Sequence, residues 1–98
     1  MGIYQTSLQW MAGNGQAMAY GTASSSQSAA FPTGTSAIRV VSSTDVWLEI
    51  SLGASASAGV SGFLPANLVE YLPAGESNTL SAKAATLNGI LYIKPCCG

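Results

Sequence analysis

The fold of this chain is decided by Ser36-Ala-Ile-Arg-Val-Val-Ser-Ser-Thr-Asp-Val-Trp-Leu-Glu-Ile-Ser-Leu52. Its second half has apolar residues at the even positions from 46 to 52 and a mixed set at the odd positions. That period of two is expected of a strand with one face on a core and the other in solvent. The polar run Ser42-Ser43-Thr44-Asp45 predicts a turn that folds the two halves into a hairpin. Arg39 and Glu49 lie on opposite arms, where an exposed pair contributes well under ~1 kcal/mol.

The rest of the chain repeats this pattern of short alternating runs separated by turn residues. Short strands are predicted over residues 3–10, 16–21, 68–72, 79–84 and 90–93, of which 3–10 and 79–84 show the clearest alternation between two faces. The clearest turn signals are Pro73-Ala74-Gly75-Glu76 and Asn88-Gly89, of which the second favours a hairpin or a bulge before the last strand. No helical period is present. The 98 residues form one domain, and about six to eight short strands predict an all-β antiparallel sandwich of immunoglobulin-like or jelly-roll type.

Two segments of small residues fit this pattern less well. Residues 22–30 are rich in Ser and Ala, which is typical either of a flexible linker or of a weak edge strand. Residues 53–62 are small and uncharged, and we expect a mobile loop there. We divide the chain into an amino-terminal strand or arm over 1–21, a sandwich over 22–94 and a carboxy-terminal tail over 95–98. The residues expected in the core are Ile38, Val40, Val46, Leu48, Ile50, Leu68, Leu80, Leu91 and Ile93.

Charge is scarce in this chain. Charged residues make up 7% of it and the net charge is −1, whereas a soluble domain usually contains about 25% charged residues. The cations are Arg39, Lys83 and Lys94, too few for the basic patch that nucleic-acid binding requires. A free monomer normally carries more charge to stay dispersed, so the composition favours burial in an assembly. Met1-Gly2-Ile3-Tyr4 lacks a basic region followed by an apolar run, so we expect no signal peptide, and no stretch is apolar enough for a membrane span.

The side chains that perform catalysis are nearly absent. The chain has no His, so it lacks an imidazole base and a His metal ligand. Asp45 and Glu76 lie in predicted turns, and Glu49 and Glu70 in predicted strands. A glycosidase would hold two carboxylates about 5–10 Å apart in a cleft, for which a small all-β chain has little room. We therefore expect no enzyme, no catalytic residue, no cofactor and no metal site.

Two adjacent cysteines, Cys96 and Cys97, stand near the end of the sequence. A vicinal disulfide between them is possible but strained, and a disulfide to a neighbouring subunit is a second alternative. We favour two reduced thiols on a terminal tail, which is the usual state in a protein made in a cytoplasm.

Four large aromatic residues, Trp10, Trp47, Phe63 and Tyr71, fall in or near predicted strands. On a sheet they could form a platform for a carbohydrate or for stacked bases. We favour core packing or subunit contact instead, because few polar hydrogen-bonding side chains flank them.

Five segments carry a resemblance to a known family. They are Thr22-Ala-Ser-Ser-Ser-Gln-Ser-Ala-Ala-Phe31, Ala37-Ile-Arg-Val-Val-Ser-Ser-Thr-Asp-Val-Trp-Leu48, Phe63-Leu-Pro-Ala-Asn67 with Glu70-Tyr71, Pro73-Ala-Gly-Glu76 and Thr86-Leu-Asn-Gly89. Together they resemble small β-sandwich virion proteins of tailed bacteriophages, of the capsid decoration (cement) or head-completion type. The similarity spans roughly Thr22 to Ile93. It is a similarity of strands and turns, and it carries no catalytic residue.

The resemblance implies a non-enzymatic structural subunit of a bacteriophage particle. Such a protein is made in the cytoplasm of the host bacterium and ends in the virion, most naturally on the head, where it stabilises the shell through subunit contacts. Its partners are then the major capsid protein, other virion subunits and copies of itself, with no nucleic acid and no membrane. The alternative is a small carbohydrate- or ligand-binding module, such as a receptor-binding or tail component, that uses Trp47 or Tyr71. The candidate subunit-contact residues are Tyr4, Leu8, Trp10, Trp47, Phe63 and Tyr71.

The amino-terminal strand Ile3 to Trp10 leaves a further choice open. As an assembly arm it would add to the exposed sheet edge of a neighbour, with Tyr4, Leu8 and Trp10 in pockets. Alternatively it pairs within its own sandwich as an edge strand.

Overall fold

The structure, a computed structural model, describes residues 9–97 apart from 12, 55, 58 and 60. The strands follow one another in the order β1 (Gln9–Trp10), β2 (Gln16–Tyr20), β3 (Ser26–Gln27), β4 (Ala37–Ser42), β5 (Val46–Ser51), β6 (Gly62–Leu64), β7 (Glu70–Pro73), β8 (Thr79–Ala84) and β9 (Gly89–Cys97). Within the described ranges, no helix is long and apolar enough to cross a membrane.

The strands form two antiparallel sheets, which we name sheet A and sheet B. Sheet A has the order β2-β9-β4-β7, and sheet B the order β3-β8-β5-β6. Strand β1 pairs with β9 at Cys96 and Cys97, on the side where β2 pairs with Gly89 to Ile93. Strands β1 and β2 are therefore two segments of one edge strand, and the backbone between them takes positive φ angles at Gly13 and Asn14. Counted in this way, the sandwich has eight strand positions, within the predicted range.

The chain crosses between the two sheets at every connection except β1–β2 and β5–β6. Two four-stranded sheets with this strand order make a jelly roll. The prediction of an all-β sandwich is thus confirmed, and of the two types that we considered the strand order is that of the jelly roll. Strand β2 and the end of β9 belong to sheet A, so the sandwich extends beyond the predicted limits of 22–94 on both sides.

The predicted central hairpin is wrong. Strands β4 and β5 lie in different sheets, so Ser42-Ser43-Thr44-Asp45 forms an arch between the sheets, and Arg39 and Glu49 are not on opposite arms of one hairpin. The Tyr20 hydroxyl donates to the Thr44 carbonyl at 2.9 Å and accepts from the Thr44 amide at 3.1 Å. These long-range bonds fix the arch. A hairpin within one sheet and an arch between two sheets give the same alternation in the sequence, because both arrangements bury one apolar face of each strand.

The Asn88-Gly89 signal also marks an arch, since it leads from β8 in sheet B to β9 in sheet A. The glycine is required by crowding rather than by a hairpin turn. A Cβ atom on Gly89 would lie 2.5 Å from Thr44 Oγ1 and 2.6 Å from the Tyr20 hydroxyl oxygen. Any larger residue would therefore push the two arches apart.

The core lies between the inner faces of the sheets. Ile50 is partly buried against it. The prediction for Leu68 is wrong: it is 43% exposed, because it follows the left-handed turn residue Asn67 and precedes β7. The core also contains Tyr20, Phe31 and Leu64, which sequence analysis did not select. The confirmed core residues are Ile38, Val40, Val46, Leu48, Leu80, Leu91 and Ile93.

The loop between β5 and β6 was expected to be mobile, but Ala54 and Ala56 within it are buried on the outer face of sheet B. The Ala54 amide donates to Thr79 Oγ1 at 3.0 Å, and the Ala56 amide donates to Ser81 Oγ at 2.9 Å. The Gln27 side chain donates to the Ala54 carbonyl at 2.9 Å. Small residues are suited to this position because they let the backbone lie flat on the sheet. In the 22–30 segment, β3 pairs with β8, so it contains an edge strand.

Candidate interaction surface on the outer face of sheet A

The outer face of sheet A is exposed and rich in aromatic side chains. Cross-strand pairing places Arg39 between Lys94 of β9 and Tyr71 of β7. The next row of the same face pairs Val41 with Tyr92. The face consists of Trp10, Arg39, Val41, Tyr71, Ile90, Tyr92 and Lys94.

Trp10, Arg39 and Tyr71 form a contact cluster on this face. The Arg39 guanidinium carbon lies 5.5 Å from the centroid of the Trp10 ring. The Trp10 indole Nε1 donates to the Tyr71 hydroxyl oxygen at 3.4 Å. Trp10 is nevertheless 61% exposed and Tyr71 47% exposed. The cluster is thus held in place by its own contacts, with a cation–π term of about 0.5–1 kcal/mol, while its surface stays open to a partner.

A shallow depression of about 330 Å³ lies beside this cluster. Arg39, Tyr92 and Lys94 contribute side chains to its wall, and the small Ala17, opposite Tyr92 on β2, leaves the space open. Lys94 Nζ donates to the Gly13 carbonyl at 2.7 Å. Arg39 and Lys94 lie directly opposite each other on neighbouring strands. Their two positive charges make this region electropositive, although like charges in this position repel one another.

The four carboxylates lie away from this face. Asp45 and Glu76 lie in arches, where they accept hydrogen bonds from the amides of Ala66 and Gly34. Glu49 is on β5 of sheet B. Glu70 is opposite Val40 in the register of β7 and β4, so it faces the other side of sheet A from Arg39.

Glu49 and Glu70 both border one cleft, but Glu70 lies on the inner face of sheet A whereas the pairing of Glu49 with Ser81 places Glu49 on the outer face of sheet B. This acidic cleft, of about 360 Å³, opens between the sheets at the edge formed by β5, β6 and β7. Strands β5 and β7 lie in different sheets, so the two carboxylates do not face each other on neighbouring strands, as a carboxylate pair would require, and the cleft is otherwise walled mainly by apolar residues. Among the residues that the structure describes, no group of three or more His, Cys, Asp or Glu side chains could hold a metal ion. The cleft is lined by Leu48, Glu49, Ile50, Gly62, Phe63, Leu64, Glu70 and Leu72.

The candidate contact residues divide between two faces. Trp10 and Tyr71 lie on sheet A, whereas Trp47 and Phe63 lie on sheet B, with ring centroids 5.0 Å apart in an edge-to-face arrangement. Tyr4 and Leu8 fall outside the described residues. A single contact surface containing all of them is therefore not formed, and a role in subunit contact stays a prediction for each.

Sequence analysis missed Tyr92, Ile90 and Lys94 as members of this face. The alternation along β9 does separate them from the buried Leu91 and Ile93. What the sequence does not reveal is that β9 lies beside β4, which brings Lys94 to Arg39.

Cys96 and Cys97 are free thiols. They lie in β9 rather than on a tail, and Cys96 is fully buried where β1 and β4 flank β9 at Trp10 and Ala37. Burial raises the pKa of the Cys96 thiol above its ordinary value. The position on a strand also turns the two side chains to opposite faces of the sheet.

Comparison with protein-family models, with curated proteins and with solved structures finds no match to this chain. Its function is therefore inferred from the two outer faces and the acidic cleft.

Proposed function

We propose that this chain is a non-enzymatic structural subunit of a bacteriophage particle. It acts as a capsid decoration or other head-associated protein and stabilises the shell through subunit contacts. The observation that carries this proposal is the outer face of sheet A, which is uncharged except for Arg39 and Lys94 and on which Trp10, Tyr71 and Tyr92 are each exposed over roughly half of their surface or more. The jelly-roll architecture, which recurs in viral capsid and lectin domains, is consistent with it.

The composition of this face matches the centre of a protein interface. Trp, Tyr and Arg are the residue types that most often dominate binding energy there, and here Trp10, Arg39 and Tyr71 are in mutual contact. Exposed apolar patches of more than a few hundred Å² are uncommon in soluble monomers. A chain with so little charge must hold its partners by shape, apolar contact and hydrogen bonds.

Particle binding tests the proposal. Purified particles of the phage that encodes the chain are expected to carry many copies of it. A Tyr92→Ala/Ile90→Ser variant, altered at two exposed positions of the face, is expected to bind particles about tenfold or more weakly in co-sedimentation. Leu87→Ser is the matched control, because Leu87 is 65% exposed in the β8–β9 arch. Particles without the chain, or full binding of the double variant, would contradict the proposal.

A carbohydrate-binding module is the second candidate, and the depression beside Tyr92 is the observation that favours it. An aromatic ring next to Arg39 and Lys94 offers stacking together with hydrogen-bond donors. Trp47, the residue first considered for this role, instead packs its ring edge to face with Phe63. Binding on a glycan array, with quenching of Trp10 fluorescence that is lost in Tyr92→Ala, would favour this candidate over the first. A blank array would eliminate it.

A further inference from the structure

We propose that copies of this chain bind one another head to tail, with the outer face of sheet A of one copy seated on the acidic cleft of the next. This inference rests on the proposed function, since it names the neighbouring copy as a partner of the same face. The occupant is the second copy because the chain itself carries two complementary surfaces.

The placement of charge is the first argument. The chain has only three cations and four carboxylates. Asp45 and Glu76 are used within arches, where each accepts a backbone N–H. Across the part of the chain that the structure describes, no Lys or Arg nitrogen lies within 4.0 Å of a carboxylate oxygen. Two cations thus share one face and two carboxylates share one cleft, and neither pair is neutralised within the chain.

The cationic side presents hydrogen-bond donors suited to carboxylates. The Arg39 guanidinium contacts the Trp10 ring, and no hydrogen bond joins it to a described side chain or backbone group. A guanidinium has five N–H donors whose planar geometry matches a carboxylate in a bidentate pair. Lys94 adds a second positive charge on the neighbouring strand, directly opposite Arg39.

The acidic cleft presents the carboxylates that would accept hydrogen bonds from these cations. Glu49 and Glu70 line a cleft whose other walls include Ile50, Phe63 and Leu72. Its volume, about 360 Å³, can take an aromatic side chain beside Glu70, with Glu49 at the outer rim of the cleft. Tyr71 or Tyr92 of the neighbouring copy is such a side chain, and each adjoins a cation on its own face.

Size and symmetry are compatible with this contact. The molecule measures 37 × 25 × 23 Å along its principal axes, so its broad face can supply the roughly 800 Å² per partner that a stable interface needs. The face and the cleft are different surfaces, which makes the contact heterologous. Such contacts close into a ring when the rotation between copies allows it. Strand β7 contributes to both surfaces, because Tyr71 points to the face while Glu70 and Leu72 point to the cleft.

Complementary neutral variants test the contact in the isolated protein. Arg39→Gln/Lys94→Gln disables the face and leaves the cleft, and Glu49→Gln/Glu70→Gln disables the cleft and leaves the face. By sedimentation velocity, the wild type is expected to associate, and each variant alone to show a dissociation constant raised about tenfold or more. An equimolar mixture is expected to stop at a dimer of twice the 9.9 kDa chain mass, since it forms one intact contact.

Three controls make the test decisive. Circular dichroism and melting establish that each variant is folded, and Lys94→Gln alone replaces the double variant if that does not fold. Lys83→Gln removes the cation on sheet B and is expected to leave association unchanged. Raising the salt to about 1 M, where charges are screened within about 3 Å, is expected to weaken association of the wild type.

Several results would overturn the inference. These are a wild type that stays monomeric at all concentrations, a mixture of folded variants that forms no dimer, or an equal loss of association in Lys83→Gln. A monomeric chain that still binds particles would remove this inference and leave the proposed function standing. A chain that self-associates as described but is absent from particles would remove the proposed function and leave the contact between copies standing.

Discussion

The two sheets share one core but differ in what covers their outer faces. On sheet B, Ala54 and Ala56 of the β5–β6 loop lie on the strands and leave Ser81 fully buried. On sheet A, Trp10, Tyr71 and Tyr92 remain exposed, and no described loop crosses them. The solvent face of an antiparallel sheet is usually polar. On sheet B the chain covers the part of the outer face around Ser81 and leaves Phe63 half-exposed, whereas the larger aromatic face of sheet A has no such cover and is better suited to a partner.

The largest expected effect comes from the core that both faces share. Leu80 is fully buried, and Leu80→Ala is expected to lower the free energy of unfolding by about 2–5 kcal/mol.

Single-tryptophan variants, Trp10→Phe and Trp47→Phe, allow the two sheets to be followed separately by fluorescence during urea unfolding. We expect the two probes to give coincident transitions. Separate transitions would mean that the two sheets do not unfold as one unit.

A smaller effect is expected where the arches that join the sheets meet. Gly89→Ala places a methyl group against Thr44 and Tyr20, and overpacking of this kind typically costs about 1–3 kcal/mol. Gly75→Ala is the matched control in another arch, since its Cβ would lie 3.4 Å from Asn78 Oδ1, and we expect a change of about 0.5 kcal/mol or less. Equal melting temperatures for the two variants would show that this close approach is not maintained in solution.

Uncovering sheet B is expected to have a more local effect. Ser81→Ala removes the acceptor of the Ala56 amide, which should cost about 1–3 kcal/mol because a buried donor loses its partner. Hydrogen exchange is expected to accelerate at the Ala54 and Ala56 amides and to stay unchanged in β4 and β9 of sheet A. Ser24→Ala, at an exposed position before β3, serves as the control. Faster exchange in both sheets alike would contradict the separate cover of sheet B.

The smallest effect concerns Cys96, which is buried in sheet A between Trp10 of β1 and Ala37 of β4. Its pKa is raised in the folded chain, so folding favours the protonated thiol. This contribution is complete below the pKa of the unfolded thiol and is lost as the pH rises through the higher folded pKa. Above the ordinary thiol pKa, the wild type is therefore expected to lose stability faster with pH than Cys96→Ala does. Alkylation by iodoacetamide, followed by mass spectrometry, is expected at Cys97 before Cys96, and the reverse order would contradict the burial.

The sequence reveals which side of a strand is buried much better than it reveals which strands are neighbours. Alternation is local, so the inward positions Val40, Val46 and Ile93 could be selected from it. Pairing depends on distant groups. Thr44 is fixed in its arch by Tyr20, 24 residues away in sequence, and no local pattern shows this bond.

The same limit applies to the candidate surface. Trp10 and Tyr71 could be selected as contact residues because they are large and lie in predicted strands. Their grouping with Arg39 and Lys94, and their separation from Trp47 and Phe63, depend on the register of β1, β4, β7 and β9. The position of Glu49 and Glu70 at one cleft likewise follows from the jelly-roll order, which places β7 across the open edge from β5 and β6.

Hydroxyl-radical footprinting of the free and the particle-bound chain tests most directly whether the outer face of sheet A is the docking surface. Oxidation of Trp10, Tyr71 and Tyr92 is expected to fall about tenfold on binding, because a desolvated interface centre excludes water. Oxidation of Leu87 and Trp47 is expected to stay the same. Equal labelling of Tyr71 and Tyr92 in the free and bound chain, with protection at Trp47 instead, would contradict the account.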